Sequence, residues 1–161
     1  MGDQISIKMQ DGFELNAYRS MPTTQRKGVV VVIQEIFGVN AHIREVADGY
    51  AAQGYSAIAP ALFDRIERDI ELGYDEADMG KGIELAFQGL EMAQTMQDLQ
   101  SVVDYGAAQG AVGVVGYCFG GLLTYLSACQ LKGVAAASSY YGGGIALSLI
   151  HISEPTRPQC I

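Results

Sequence analysis

The chain has 161 residues, of which 49% are hydrophobic and 17% charged, and its formal net charge is −8. This length and composition predict one soluble globular domain and exclude a disordered chain. The acidic balance and the lack of a basic cluster argue against a nucleic-acid partner. The N-terminal residues lack the basic and apolar regions of a secretory signal, and the apolar runs are too short to span a membrane. We therefore expect no membrane association and a cytoplasmic location.

Strands and helices are predicted to alternate along the chain. Two alternating segments, residues 4–9 and 13–18, flank the turn signal Gln10-Asp11-Gly12 and predict an N-terminal β-hairpin. Further strands are predicted over residues 28–34, 55–59, 111–115 and 134–140, and helices over residues 41–53, 75–94, 96–108 and 119–130. The residues of helix 96–108 predicted to face inward are Leu99, Val102, Val103 and Ala107. Buried strands that alternate with helices predict an α/β fold with a mostly parallel, doubly wound sheet.

The sequence Gly116-Tyr117-Cys118-Phe119-Gly120 stands between a predicted strand and a predicted helix. Glycines two positions before and after the central residue are typical of a strained strand-to-helix turn, because Cβ atoms there would collide with the neighbouring backbone. Such a turn holds its central side chain above the carboxyl end of a parallel sheet. It also places that side chain at a helix N-terminus, where the dipole favours an anion. Cys118 is therefore a candidate nucleophile.

The loop after strand 28–34 supplies candidate partners for this thiol. The amides of Phe119 and Ile36 are candidate oxyanion donors, because an elbow nucleophile uses the amide that follows it and one from the loop after a central strand. The carboxylate of Glu35 is expected beside Cys118, where its charge opposes thiol ionisation and would keep the resting thiol neutral. The plainer alternative is an inert buried thiol and a solvated or capping acid. The glycine frame favours the catalytic interpretation.

Several segments together point to a known family. They are QEIFG at residues 34–38, GYCFGG at residues 116–121, and the stretches at residues 40–45, 59–63 and 139–142. In this combination the chain resembles the dienelactone hydrolase family, the carboxymethylenebutenolidases of the α/β-hydrolase fold. The resemblance extends from about the first strand to Ala146.

The resemblance implies a reaction and a set of roles. Members of the family hydrolyse lactone or ester bonds of small molecules with a Cys-Asp-His triad, and they need no metal or organic cofactor. By this resemblance Cys118 is the nucleophile and Glu35 is the carboxylate that modulates it. The amides of Ile36 and Phe119 then form the oxyanion hole.

The chain departs from the family pattern on the helix near residue 80. Dienelactone hydrolases have an Arg and a Tyr there, and the Arg helps to bind the substrate carboxylate. An ungapped comparison places Gly80 and Glu84 at these positions, so the dienelactone itself is doubtful as a substrate. The adjacent Lys81 is a candidate substrate-binding residue that could supply the positive charge, although a solvated helix face is the more ordinary interpretation.

The end of the chain does not resemble the family. Residues 147–157 correspond to a translation of DNA that resembles the transposase end and adaptor used in library preparation. We therefore predict that residues 1–146 are the N-terminal part of a dienelactone hydrolase-like domain, and that residues 147–161 are a non-native tail. The fold would then be a partial α/β-hydrolase fold with strand 134–140 as an exposed edge.

A truncated chain of this kind would lack the family's Asp and His, which follow Tyr141 in chain order. The sequence contains two histidines. His42 is expected at the surface or as a helix cap, and His151 lies in the predicted tail. We therefore expect the chain as it stands to be inactive, although the gene product would be a carboxylic ester hydrolase.

Two other functional classes compete with the hydrolase interpretation. The first is a small-molecule-binding or thiol redox-sensing module built on Cys118 without turnover. Cys129 is too far along the predicted helix to act as its resolving cysteine, and the three cysteines, which include Cys160, show neither disulfide nor metal-ligand spacing. The second is a nucleotide-binding domain, which the glycine-rich turn does not support because no phosphate-binding motif follows a strand.

Overall fold

The computed structural model of the protein describes residues 2–145, so the predicted tail lies outside the described residues. The described strands are β1 (Asp3–Lys8), β2 (Glu14–Ser20), β3 (Val29–Ile33), β4 (Ser56–Pro60), β5 (Val112–Tyr117) and β6 (Val134–Tyr140). The described α-helices are α1 (Ala41–Ala52), α2 (Glu76–Glu84), α3 (Met92–Ala107) and α4 (Phe119–Gln130). A 3₁₀ turn covers Leu62–Arg65, and a π-helical segment at Leu85–Gly89 continues α2.

The six strands form one mixed sheet in the order β1-β2-β4-β3-β5-β6. β1 and β2 are antiparallel and form the N-terminal hairpin, and β2 is also antiparallel to β4. The four strands from β4 to β6 are parallel to one another. The predicted mostly parallel sheet with an N-terminal hairpin is therefore confirmed. Parallel strands end at the same edge, so the loops after β3 and β5 meet there.

Helices cover both faces of the sheet. On one face, Ile43 and Ala47 of α1 pack against Val30 and Val32 of β3. On the other face, α3 and α4 pack against the strand residues that lie between these in sequence and point the opposite way, such as Val31. Since β3 is buried on both faces, its five residues are all apolar. In the described part of the chain, no helix is both long and apolar enough to cross a bilayer.

The boundary between α2 and α3 differs from the sequence prediction. The sequence predicts one helix over residues 75–94 and another over residues 96–108. Instead the first helix ends before Leu90, whose extended backbone (ψ 132°) stops it, and α3 already begins at Met92. Thr95, the predicted break, lies inside α3, where its amide and its hydroxyl both donate to the Glu91 carbonyl (2.9 Å each). The predicted break is therefore wrong by about one helical turn.

The inward face of α3 also differs at one position. Leu99, Val102 and Val103 are buried as predicted, but Ala107 is exposed. The neighbouring Gly106 takes the buried position instead, where an added Cβ would lie 3.1 Å from the Val29 side chain. A pattern built on apolar side chains passes over glycine, which is why the sequence pointed to the wrong residue.

An ion pair joins α3 to the turn after β4. The guanidinium of Arg65 donates to both carboxylate oxygens of Asp98 (2.6 and 2.7 Å), and Asp98 is almost fully buried. Arg65 also pairs with Asp11 in the hairpin turn (2.9 Å). Hydrogen bonds to Asp98 and then to Asp11 raise the pKa of Arg65. This side chain therefore links three elements that are distant in the sequence.

A second polar cluster holds α1 against β2. The carboxylate of Asp48 accepts hydrogen bonds from the hydroxyls of Ser20 (2.6 Å) and Tyr18 (2.9 Å). The Ser20 hydroxyl has the largest effect and lowers the pKa of Asp48, the Tyr18 hydroxyl acts in the same direction, and partial burial opposes both. The ionised carboxylate is thus the form that the folded protein stabilises.

β6 forms one edge of the sheet. It pairs in parallel with β5, from Val112 opposite Val134 to Tyr117 opposite Tyr140, and no other described strand lies beside it. The residues of β6 after Val134 are exposed. The predicted exposed edge at strand 134–140 is confirmed for the described part of the chain.

Candidate active site

Cys118 lies at the tip of the turn between β5 and α4, as the sequence predicts. Its backbone has φ 54° and ψ −117°, a conformation that a side chain with a Cβ rarely adopts and that costs about 1–3 kcal/mol. Two hydrogen bonds hold the turn: the amide of Cys118 donates to the Tyr140 carbonyl (3.1 Å), and the Leu122 amide donates to the Cys118 carbonyl (3.2 Å). The thiol is half-buried. A strained, well-anchored turn with an accessible side chain is the geometry of a nucleophile elbow.

The glycines around Cys118 are required by close backbone contacts. A Cβ at Gly116 would lie less than 3.0 Å from the Gly120 carbonyl, and a Cβ at Gly120 would meet the carbonyl of Ile33 at the end of β3. Gly121 packs in the same way against the Tyr140 carbonyl. The first turn of α4 is therefore pressed against the ends of β3 and β6, which the sequence pattern anticipates for the two flanking glycines.

The loop after β3 is held by a buried glutamine. The Gln34 side chain is fully buried, its Oε1 accepts a hydrogen bond from the Leu62 amide (3.1 Å), and its Nε2 donates to the Glu35 carbonyl (3.4 Å). Gln34 thereby ties the start of this loop to the segment after β4. The sequence shows Gln34 only as part of a motif. The signal that was overlooked is an uncharged polar residue at the end of an otherwise apolar buried strand.

The two predicted oxyanion donors lie at the carboxyl ends of neighbouring strands. Ile36 is in the loop after β3, and Phe119 begins α4 directly after Cys118. Both residues are buried, and neither amide donates a hydrogen bond to another described residue. Phe119 follows Cys118 directly, and Ile36 lies in the loop after the strand next to β5, so both amides remain candidate donors to an oxyanion at the elbow.

A tyrosine lies close to both Glu35 and the elbow. Tyr141 has φ 38°, a second strained backbone, and its side chain is near enough to the Glu35 and Cys118 groups to interact with their charges. Partial burial raises the pKa of Tyr141, and the nearby Glu35 and Cys118 groups raise it further. Glu35 therefore lies on the same side of the sheet as the thiol. Sequence analysis places Tyr141 in a family-like stretch but assigns it no contact.

Aromatic rings support the segment that carries Tyr141. The rings of Tyr117 and Tyr140 are stacked at 5.0 Å, and the Tyr141 ring is 6.1 Å from that of Tyr117. Burial, followed by the nearby Tyr50, raises the pKa of Tyr117 to about 12. The Ser139 hydroxyl adds a hydrogen bond to the Gly121 carbonyl (2.8 Å). The end of β6 thus buttresses the elbow from one side.

The other predicted residues lie further from this arrangement or have partners of their own. The Lys81 ammonium is 3.0 Å from a Glu67 carboxylate oxygen in a surface ion pair. His42 is exposed in the first turn of α1, and Asn40, not His42, caps that helix. His151 lies outside the described residues. Within residues 2–145 no group of His, Cys, Asp and Glu side chains is arranged to hold a metal ion.

Cys129 does not reach the elbow thiol. It lies eleven residues after Cys118 on α4, which corresponds to about 16 Å along the helix axis. The two sulfurs are therefore too distant for a disulfide without a large rearrangement.

The sheet, the strained elbow and its glycine contacts define the α/β-hydrolase fold. A model of the dienelactone hydrolase family matches residues 15–160, most of the chain. The chain therefore belongs to the dienelactone hydrolase family. The match includes most of residues 147–161, and the non-native origin of that segment stays a prediction.

Known proteins of this family are similar to the chain. The carboxymethylenebutenolidase of Pseudomonas putida is 37% identical over 160 residues, which cover 96% of this chain and 66% of that protein. A crystal structure assigned to the dienelactone hydrolases, from Klebsiella pneumoniae, has a TM-score of 0.74 and 31% identity, covering 88% of this chain and 60% of that one. A dienelactone hydrolase-like promiscuous phosphotriesterase from metagenomic libraries has a TM-score of 0.55 and 26% identity, covering 75% and 51%. The chain thus spans less than two thirds of each of these proteins.

Proposed function

We propose that the full gene product hydrolyses an ester or lactone bond of a small molecule with Cys118 as the nucleophile. The thiolate attacks the carbonyl carbon, and the oxygen that becomes negative is bound by the amides of Ile36 and Phe119. The leaving alkoxide departs with a proton, and water then hydrolyses the thioester at Cys118. The observation that carries this proposal is the strained backbone of Cys118 at the strand-to-helix turn, directly before Phe119 and beside the strand whose loop carries Ile36.

In this mechanism Glu35 controls the charge of the resting thiol. A carboxylate near a thiol opposes its ionisation, so ionised Glu35 keeps Cys118 neutral until a substrate arrives. The charge interactions of Glu35 and Cys118 with Tyr141 support a position of Glu35 close to the elbow. Removing the charge of Glu35 would therefore ease thiolate formation and extend thiol reactivity to lower pH.

The reaction also needs a group that moves protons. Neither histidine of the chain is proposed for this role, because His42 is exposed in the first turn of α1 and His151 belongs to the predicted tail. The family resemblance places an Asp and a His after Tyr141. We therefore propose that the chain as given does not turn over, since triad members act as a unit and loss of the base commonly costs about a thousandfold or more. An activated ester such as 4-nitrophenyl acetate releases a leaving group that needs no proton, so the small thiolate fraction of Cys118 can still be acylated once, without turnover.

Turnover of 4-nitrophenyl acetate tests this proposal. The chain should be compared with a longer gene product that continues past residue 146 with its native sequence. We expect the longer protein to be soluble and to turn over the ester, with a severe loss in its Cys118→Ser variant and a changed pH profile in Glu35→Gln. Wild-type turnover in Cys118→Ala would refute the mechanism. Turnover by the 161-residue chain comparable with that of the longer protein would refute the proposed truncation.

A further inference from the structure

An apolar stripe on α2 and the π-helical segment faces outward. Met79, Ile83 and Phe87 follow one another at intervals of four residues, and 45%, 44% and 59% of their surfaces are exposed. The side of this helix that packs against the rest of the protein carries the buried Gly82, Leu85 and Ala86. A surface helix usually turns its apolar residues inward. Three large apolar side chains in a row on the outer side therefore indicate that something apolar covers them in use.

The stripe is continuous with the candidate active site through both oxyanion residues. The backbone of Gly82 is so close to the Ile36 carbonyl that a Cβ at residue 82 would clash with it. The Phe87 ring meets the Phe119 ring edge to face, with 5.4 Å between their centres. The helix that carries the stripe thus touches the residue after Cys118 and the loop after β3. A molecule whose carbonyl sits at Cys118 would have this wall beside it.

The charges around the stripe disfavour an anionic occupant. The cation on this helix, Lys81, is already paired with Glu67 (3.0 Å). Glu84 lies next to Ile83, and Glu35 adds a further carboxylate at the elbow. A substrate carboxylate placed here would meet negative charges and would have to displace Glu67 from Lys81.

From these observations we infer that the site takes neutral esters or lactones with an apolar chain, which lies along Met79, Ile83 and Phe87. This inference rests on the proposed role of Cys118 and names the substrate class for that site. Binding would be favourable because both the apolar chain of the substrate and the three side chains of the stripe would be removed from water. Small polar or anionic esters would lack this contribution.

Alkylation of Cys118 tests the inference without requiring turnover. In this reaction the thiolate displaces iodide from an iodoacetyl reagent and forms a thioether. The rates with iodoacetamide, N-hexyl iodoacetamide and iodoacetate are measured on the 161-residue chain by mass spectrometry of the peptide that contains Cys118. Each rate is divided by that of N-acetylcysteine with the same reagent. We expect N-hexyl iodoacetamide to react about tenfold faster than iodoacetamide, because each fully buried methylene contributes about fourfold and the open stripe would bury about two. Iodoacetate should be the slowest.

Lysine substitutions locate the effect. Met79→Lys and Ile83→Lys should each remove most of the hexyl preference, measured as the ratio of the N-hexyl iodoacetamide rate to the iodoacetamide rate of the same variant. Met21→Lys is the matched control, because Met21 is equally exposed (46%) but follows the end of β2, beside the start of β4 and therefore at the end of the parallel strands opposite the elbow. This variant should keep the full preference.

The outcomes separate the inference from the proposed function. Equal normalised rates for the hexyl and unsubstituted reagents, or faster reaction with iodoacetate, overturn the apolar substrate class. Loss of the preference in the Met21 variant as well would show that it does not come from the stripe and would also overturn the inference. If Cys118 stays unalkylated by every reagent, and also in Glu35→Gln, where the opposing charge is gone, the proposed nucleophile is wrong.

Discussion

Replacing Cys118 with glycine should make the protein more stable than replacing it with alanine. The backbone at this position has φ 54° and ψ −117°, which lies far from the conformations open to a residue with a Cβ. Residues held in such regions cost about 1–3 kcal/mol, and glycine removes this cost. Against it stands the greater flexibility of glycine in the unfolded chain, about 0.5–1 kcal/mol. The net expectation is that the free energy of unfolding of Cys118→Gly is about 0.5–2 kcal/mol larger than that of Cys118→Ala.

Cys129 offers a control in the same helix. It lies near the end of α4 in regular helical structure, where glycine is about 1 kcal/mol less favourable than alanine. The glycine-minus-alanine difference should therefore have opposite signs at the two cysteines. Each comparison is between variants that have both lost the thiol, so other effects of the sulfur cancel.

Urea unfolding followed by far-ultraviolet circular dichroism measures these differences. A gain of 1 kcal/mol corresponds to a rise in Tm of about 2–4 °C for a domain of this size, so thermal scans give a second readout. If glycine is less stable than alanine at both positions by similar amounts, Cys118 is in relaxed helical backbone and the strained elbow is not present in solution.

Three further predictions concern the packing and the polar clusters. Gly120→Ala should lower the free energy of unfolding by about 1–3 kcal/mol, because the added Cβ meets backbone carbonyls. Gly49→Ala should raise it by up to about 1 kcal/mol, because Gly49 lies in α1 with open space around it. Equal effects of the two substitutions in urea titrations would argue against the tight elbow contact. Asp98→Asn should cost about 3 kcal/mol or more by leaving the Arg65 guanidinium without its buried partner, and an unchanged urea midpoint would contradict the pair. Because folding lowers the pKa of Asp48, the ionised carboxylate stabilises the folded protein above about pH 4, and this stabilisation is lost as the pH falls through the pKa of Asp48 in the folded protein. Wild type should therefore lose more stability than Asp48→Asn between about pH 5 and pH 2. Parallel losses of stability in the two proteins would contradict this.

The elbow and the sheet could be predicted because local patterns encode them. The glycines two positions before and after Cys118 are needed because a Cβ there would clash with nearby backbone, and this requirement is visible in the local sequence. Five consecutive apolar residues in β3 likewise indicate a strand that is buried on both faces. The family resemblance adds the loop after β3. These features need no knowledge of which distant segments meet.

The remaining features depend on contacts between distant segments. The pairing of Arg65 with Asp98 joins residues 33 positions apart, and Tyr141 reaches Glu35 across the width of two strands. Gly106 is buried because Val29 lies against it, which its own helix does not indicate. Tertiary contacts decide each of these cases. The break before α3 is different, because it follows Gly89 directly and glycine is a common helix-ending residue; the sequence therefore carries a local signal for it.

Acylation of Cys118 is the most direct measurement of the central claim. The 161-residue chain is mixed with 4-nitrophenyl acetate, release of nitrophenolate is followed over the first turnover, and the site of the acetyl group is found by peptide mass spectrometry. We expect one acetyl group per chain, on Cys118, with slow release, and no such burst in Cys118→Ala. An acetyl group found on a lysine or on Cys129 while Cys118 remains free, or an equal burst in Cys118→Ala, would contradict the assignment of Cys118 as the nucleophile.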